Sequence, residues 1–205
     1  MLENKLRQSC KARFMPAKKA IEELLVNSHK DVLLVAIDGK CASGKTTLAY
    51  YLKASYDCNL FHMDDFFLQD AQRTPQRLAE IGGNIDYERF ALEVIEPVKK
   101  RQDVIYRPFS CMERRMKESI KITPKRLNII EGSYSMHPYF KDPYDIHIFM
   151  DIAAAQQIEN IRKRNGEEKL VRFKNEWIPK ENAYFEKFGI GKESMHINWC
   201  DIKNK

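Results

Sequence analysis

An unbroken apolar run, Val32–Ile37 (VLLVAI), leads straight into Asp38-Gly39-Lys40-Cys41-Ala42-Ser43-Gly44-Lys45-Thr46-Thr47. No other stretch restricts the fold as much. A strand that is apolar on both faces belongs inside a parallel sheet covered by helices. Glycine at the strand end permits positive φ and lets the backbone come close to a ligand. Gly39–Thr46 matches the spacing G-x-x-x-x-G-K-[ST]. In such a loop successive N–H groups point inward and cradle phosphate oxygens. The helix that follows, Lys45–Ser55, adds the positive potential of its N-terminus. Gly39, Lys40, Cys41, Ala42, Ser43, Gly44, Lys45, Thr46 and Thr47 are therefore read as a triphosphate site. Lys45 would reach the outer phosphates, and the Thr46 hydroxyl would ligate Mg²⁺.

The rest of the chain alternates strands with helices. Pro16 to about His29 has apolar residues at helical spacing (Ala20, Ile21, Leu24, Leu25), with Pro16 placed in the first turn. Cys58–Met63 reads as a second strand and 70–85 as mostly loop. Asp86–Lys100 reads as a helix capped by Asp86, which Pro97 should end or kink. Val104–Tyr106 and Ser119–Ile122 read as a strand pair joined by a basic segment. Leu127–Ile130, Ile146–Met150 and Met195–Trp199 read as strands, and Ala153–Arg164 as a helix. Leu170–Phe188 reads as two helical pieces interrupted by Pro179. This alternation predicts a three-layer α/β/α fold around a mostly parallel five-stranded sheet. The whole of 1–205 is expected to form one domain, with its core over about 30–200.

Composition excludes several classes. No apolar run is long enough to span a membrane, and the charged N-terminus has no signal-peptide core, so a cytoplasmic protein is expected. The five cysteines are scattered without C-x-x-C spacing, as expected of free thiols, and Cys41 is read as filling its loop. A net charge of +6 fits nucleic acid or a polyanion such as ATP. The basic residues are dispersed and no nucleic-acid motif accompanies them, so nucleic acid is not expected as a partner. There is no N-K-x-D for guanine, which counts against a GTPase switch.

Asp64 and Asp65 follow the second strand directly. Strand C-termini line the ligand crevice of a parallel sheet. An aspartate there can take the proton of an acceptor hydroxyl beside the γ-phosphate, or simply cap a turn. His62 stands close enough to tune Asp64. His147 and His196 alternate with apolar residues and are read as structural, and Trp177 and Phe185 as packing groups. Arg162, Arg164 and Arg172 are cations that could cover migrating charge or form a solvated face.

IDGKCASGKTTLA, HMDDFF and NIIEG together resemble the uridine kinase and nicotinamide riboside kinase group of P-loop kinases. Phosphoribulokinase and bacterial pantothenate kinase are more distant kin of that group. The resemblance implies the nucleoside-kinase-like P-loop fold, ATP and Mg²⁺ as cofactors, and a small-molecule hydroxyl acceptor. It implies Asp64 as general base and, with Thr46, near the metal, with Asp65 as a helper. Glu131, in NIIEG, would help hold Mg²⁺. GGNIDYERF is similar to a family segment whose aspartate contacts the ribose, which makes Asp86 a substrate-binding candidate; Tyr106 is the match for a tyrosine near the base. The family's arginine-rich lid falls on about 160–175, where Arg164 is the catalytic match and Arg172 a further substrate-binding candidate. Asn160 stands where the family points an arginine at the ribose. A nucleoside such as uridine or cytidine is the expected acceptor, with nicotinamide riboside, pantothenate or a sugar as alternatives. A non-kinase ATP-binding regulator is another alternative, and self-association into a homo-oligomer stays open.

Overall fold

The computed structural model describes residues 2–198, and side chains from residue 12 onward. Five strands form the central sheet: β1 (Leu33–Gly39), β2 (Cys58–His62), β7 (Leu127–Glu131), β8 (Ile146–Asp151) and β9 (Met195–Asn198). Their order is β2-β7-β1-β8-β9, and every pairing is parallel. The remaining strands lie outside it as two antiparallel pairs: β3 (Val104–Tyr106) with β6 (Ile120–Ile122), and β4 (Phe109–Ser110) with β5 (Arg115–Met116). The first pair is the one expected; the second is a hairpin inside the basic segment.

Alternation along β1 explains the layers. Side chains of a strand point to opposite faces in turn. Leu33, Val35 and Ile37 pack with Phe14, Ala17 and Ile21 of α1 (Leu2–Asn27) and Leu48 and Leu52 of α2 (Lys45–Ser55). Leu34 joins Phe61, Ile130, Val94 and Ile95 on the other face. Each fully buried side chain of this size contributes about 1.5–3 kcal/mol. A strand with both faces covered in this way has to be apolar throughout.

The helices differ from expectation where proline was taken as a boundary. α1 runs from Leu2 with Pro16 inside it, not in its first turn. Phe14, Ala17 and Ile21 are fully buried on the sheet, so packing carries the helix through one missing hydrogen bond. Near Pro97, α4 (Tyr87–Phe90) and α5 (Glu96–Lys99) are joined by a π-helical stretch, Ala91–Ile95. Near Pro179, α6 (Ala154–Arg172) and α7 (Ile178–Phe188) are joined by another, Phe173–Trp177. In both places the widened turn comes just before the proline, which then occupies the first turn of the next helix. α6 is longer than expected and is broken at Gly166, whose φ of 81 and ψ of 169 are not helical. The stretch 70–85 is mostly loop, with a 3₁₀ turn at Asp70–Gln72 and one short α-helix, α3 (Pro75–Ala79). Trp199, Cys200 and the side chain of Cys10 lie outside the described residues.

Candidate active site

The C-terminal ends of β2 and β7 stop level, since His62 is the register partner of Glu131, and β1 runs two residues past its own partner of Glu131, Ile37, to Gly39. The glycine loop leaves β1 at this edge. Gly39 has φ 131, and a Cβ there would lie 2.1 Å from the Met150 carbonyl oxygen of β8. No other residue fits. Gly44, at φ 94, is the N-cap of α2 and no side chain caps the helix. The first amides of α2 thus open onto the cleft without a capping side chain, as an anion site needs. Lys45 is buried, and its ammonium donates to the Gly39 carbonyl (2.8 Å), the Lys40 carbonyl (3.0 Å) and Ser133 Oγ (3.2 Å). Lys40 turns away and pairs with Asp151 at 2.7 Å.

The loop opens on a cavity of about 590 Å³ that Lys45, Thr46, Asp64, Glu131 and Arg164 share. Thr46 Oγ1 lies 3.3 Å from both carboxylate oxygens of Glu131. Among the described residues no cluster of three or more His, Cys, Asp or Glu could hold a metal by itself. Mg²⁺ is characteristically bound by one or two protein oxygens and substrate phosphates. A hydroxyl and a carboxylate beside a phosphate cradle fit that pattern.

Asp64 sits in a single 3₁₀ turn, Met63–Phe66, anchored by fully buried Met63 and Phe66. That leaves Asp64 exposed to the cleft. The cleft walls around it strip part of its hydration, and its pKa is raised by that loss first and by Glu131 second, with Lys45 opposing. His62 Nδ1 is 2.5 Å from Glu131 Oε1. Burial alone would lower the His62 pKa, but the hydrogen bond and charge of Glu131 raise it above the ordinary value. His62 therefore acts on Glu131 directly. Asp65 turns from the cleft and accepts a hydrogen bond from the Tyr106 hydroxyl.

The structure does not bring every expected residue into this cavity. Asp86, Tyr106 and Arg172 are absent from its lining. Asp86 is buried, caps α4 through the Arg89 amide (3.1 Å) and accepts from Gln72 Nε2 (2.8 Å). Tyr106 is buried against Phe61 and Phe66. Arg172 pairs with Glu176 at 2.9 Å and lies over Trp177. Arg164 does line the cavity, beside Lys163. Asn160 reaches the loop and donates to the Ala42 carbonyl at 3.1 Å. Trp177 lines the cavity edge-on to Phe173, and Phe185 packs against Phe149. His147 pairs with Asp142 and His196 Nε2 donates to the Gly191 carbonyl at 2.7 Å, both outside the cavity lining.

Phe67, Asn84 and Tyr134 in the lining were not foreseen, nor were two residues that brace the phosphate loop, Glu181 and Ser133. Glu181, buried on α7, accepts from the Cys41 amide (2.9 Å) and from Ser133 Oγ (2.6 Å). Burial, then the Glu181 charge, push the Cys41 thiol up to about 12, so it stays protonated at neutral pH. Glu181 carries no spacing signal in the sequence. Ser133 could have been found from its place two residues after Glu131 at the end of β7.

No family model and no curated protein matches the chain. Solved structures share its fold. A possible uridine kinase from Bacillus stearothermophilus is 18% identical, with TM-score 0.68 over 92% of this chain and 99% of that one. A protein from a Silicibacter species, assigned as a fructose transport system kinase, is 20% identical, with TM-score 0.72 over 92% and 98%. A D-glycerate 3-kinase from Cryptococcus neoformans is 15% identical, with TM-score 0.60 over 93% and 92%. The chain thus has the α/β fold of these P-loop kinases.

Proposed function

We propose that this chain transfers the γ-phosphoryl group of ATP to a hydroxyl of a small molecule, a nucleoside 5′-hydroxyl being the best fit. One observation carries the reading: Lys45, Thr46, Glu131, Asp64 and Arg164 meet in one cavity at the strand ends, beside the glycine loop. Residues 39–47 would hold the triphosphate. Thr46 and Glu131 would hold Mg²⁺, which when bound neutralises charge developing on the phosphates. Asp64 would accept the acceptor proton as the oxygen attacks phosphorus. Arg164, on the arm formed by α6, would cover the transferred group, and 160–175 would serve as a lid.

The choice of acceptor rests on the lining. Its cations are Lys45, Lys163 and Arg164, on the loop and the arm. Phe67, Asn84 and Tyr134 supply aromatic and neutral polar surface beside Asp64. That surface suits an uncharged nucleoside better than a carboxylate-bearing acceptor. Coupled ADP detection with uridine, cytidine, nicotinamide riboside, fructose, D-glycerate and pantothenate tests it. ADP release with a pyrimidine nucleoside is expected. ADP release with none of them above the acceptor-free background would leave the regulatory ATP-binding alternative.

A further inference from the structure

We infer that Glu181 is a positioning residue of the phosphate site, holding Lys45 in place through Ser133 and fixing the loop at Cys41. The inference rests on the ATP-binding reading. Glu181 is 5% exposed and lies 140 positions from Cys41. A buried carboxylate is seldom needed for stability, since an apolar group of similar size often serves as well. Its hydrogen bonds show what it does instead.

Ser133 has one hydroxyl proton and two acceptors within reach. Glu181 Oε1 is at 2.6 Å and the Gly39 carbonyl at 3.4 Å. The carboxylate is both nearer and the stronger acceptor, so it takes the proton. The Ser133 lone pairs then face the Lys45 ammonium at 3.2 Å. Lys45 has three N–H donors and three acceptors: the Gly39 carbonyl, the Lys40 carbonyl and Ser133 Oγ. The ammonium is thereby placed before a triphosphate arrives, which lowers the ordering cost of binding; one carbonyl contact would give way to the phosphate and Ser133 would keep its place. The other carboxylate oxygen holds the Cys41 amide at 2.9 Å. A neutral amide cannot do both jobs. Its single oxygen can accept from Cys41 or from Ser133; with the oxygen on Cys41, its NH₂ would donate to Ser133 and turn the Ser133 proton towards the Gly39 carbonyl, itself an acceptor of Lys45.

The test is Glu181→Gln, read by titrating MgATP without acceptor and then by steady-state kinetics. The Kd for MgATP should rise about tenfold, the scale of one charge-assisted hydrogen bond. The kcat at saturating ATP and the acceptor KM should stay within about threefold, a split that general loosening of the fold would not give. Ser133→Ala should weaken MgATP to a similar degree, and the double variant should be no weaker than Glu181→Gln alone, because both act on the same ammonium. Unchanged Kd in Glu181→Gln, or fully additive losses in the double variant, would overturn the inference. Should Glu181→Gln not fold, Ser133→Ala alone decides: an unchanged Kd refutes the relay. A wild-type chain that binds no MgATP would instead sink the underlying reading, and the inference with it.

Discussion

The Tyr184 hydroxyl donates to Asp38 Oδ2 across 2.9 Å and so ties α7 to the end of β1. Asp38 also accepts from the amides of Gly39 (2.7 Å), Tyr134 (3.2 Å) and Met136 (3.0 Å), and is fully buried. One carboxylate therefore joins the glycine loop, the segment after β7 and the helix that carries Glu181. Burial raises its pKa to about 6, outweighing the Met136 and Gly39 amides, Lys45 and the Tyr184 hydroxyl, which lower it. The folded chain then keeps a proton that the unfolded chain releases above its ordinary pKa of 3.8. Stability should fall as pH rises from about 4 to about 6 and this contribution should level off above that. Asp38→Asn should flatten that slope in melting midpoints, leaving a remnant from Asp64, whose pKa shifts in the same direction. An unchanged slope would show that Asp38 does not titrate in this window.

Asp64→Asn should keep MgATP affinity and lose about 10²–10⁴-fold in kcat, the range for removing a general base. The base works deprotonated, and its pKa is raised above 3.8. The acid limb of wild-type kcat/KM should accordingly lie above the usual aspartate range, with activity falling as pH drops through it. Transfer by the Asn variant near the wild-type rate would remove Asp64 from that role.

Asp86 separates two readings of one residue. The family resemblance implies a ribose contact, whereas the structure shows a buried cap on α4. As a cap, Asp86→Ala should cost about 1–2 kcal/mol in urea denaturation. Acceptor KM should then change little among molecules still folded. A large rise in acceptor KM with unchanged stability would reinstate the ribose contact and require the 70–85 region to rearrange on binding.

These residues also show what the sequence could and could not convey. The loop, the strand before it and the positions of Asp64 and Glu131 were legible because each depends on neighbours in sequence. Strand ends in a parallel sheet converge, so local signals at the ends of β1, β2 and β7 were enough to assemble them. Asp86 and Tyr106 lie outside the cavity lining, which their motif positions could not convey because a motif position does not reveal side-chain direction; Tyr106 faces Asp65 and Phe66. Glu181 was illegible because its partners are Cys41 and Ser133, brought near only by the packing of α7. Pro97 and Pro179 marked the interruptions but not their form. A π turn preceding each one lets the helix continue, and that widening has no residue signature.

Gly166 offers the last prediction. Its φ of 81 and ψ of 169 belong to a region that is essentially restricted to glycine. A Cβ there would meet nothing within 4 Å, so substitution is opposed by the backbone alone. Gly166→Ala must either keep the break, at about 1–3 kcal/mol of strain, or relieve it by making α6 continuous. A continuous helix is the easier route, because alanine favours helical backbone and only glycine tolerates the break. Closing the break would turn the residues before Gly166 relative to those after it. Lys163 and Arg164 lie just before, and Phe173 and Trp177, which also line the cavity, lie after. Arg164 would then be turned from its place in the cavity lining. The expected result is a fall in kcat of about tenfold or more with a stability change below about 3 kcal/mol, read from urea denaturation of the same preparation. A variant with wild-type kcat would show that the break in α6 does not place Arg164 for catalysis.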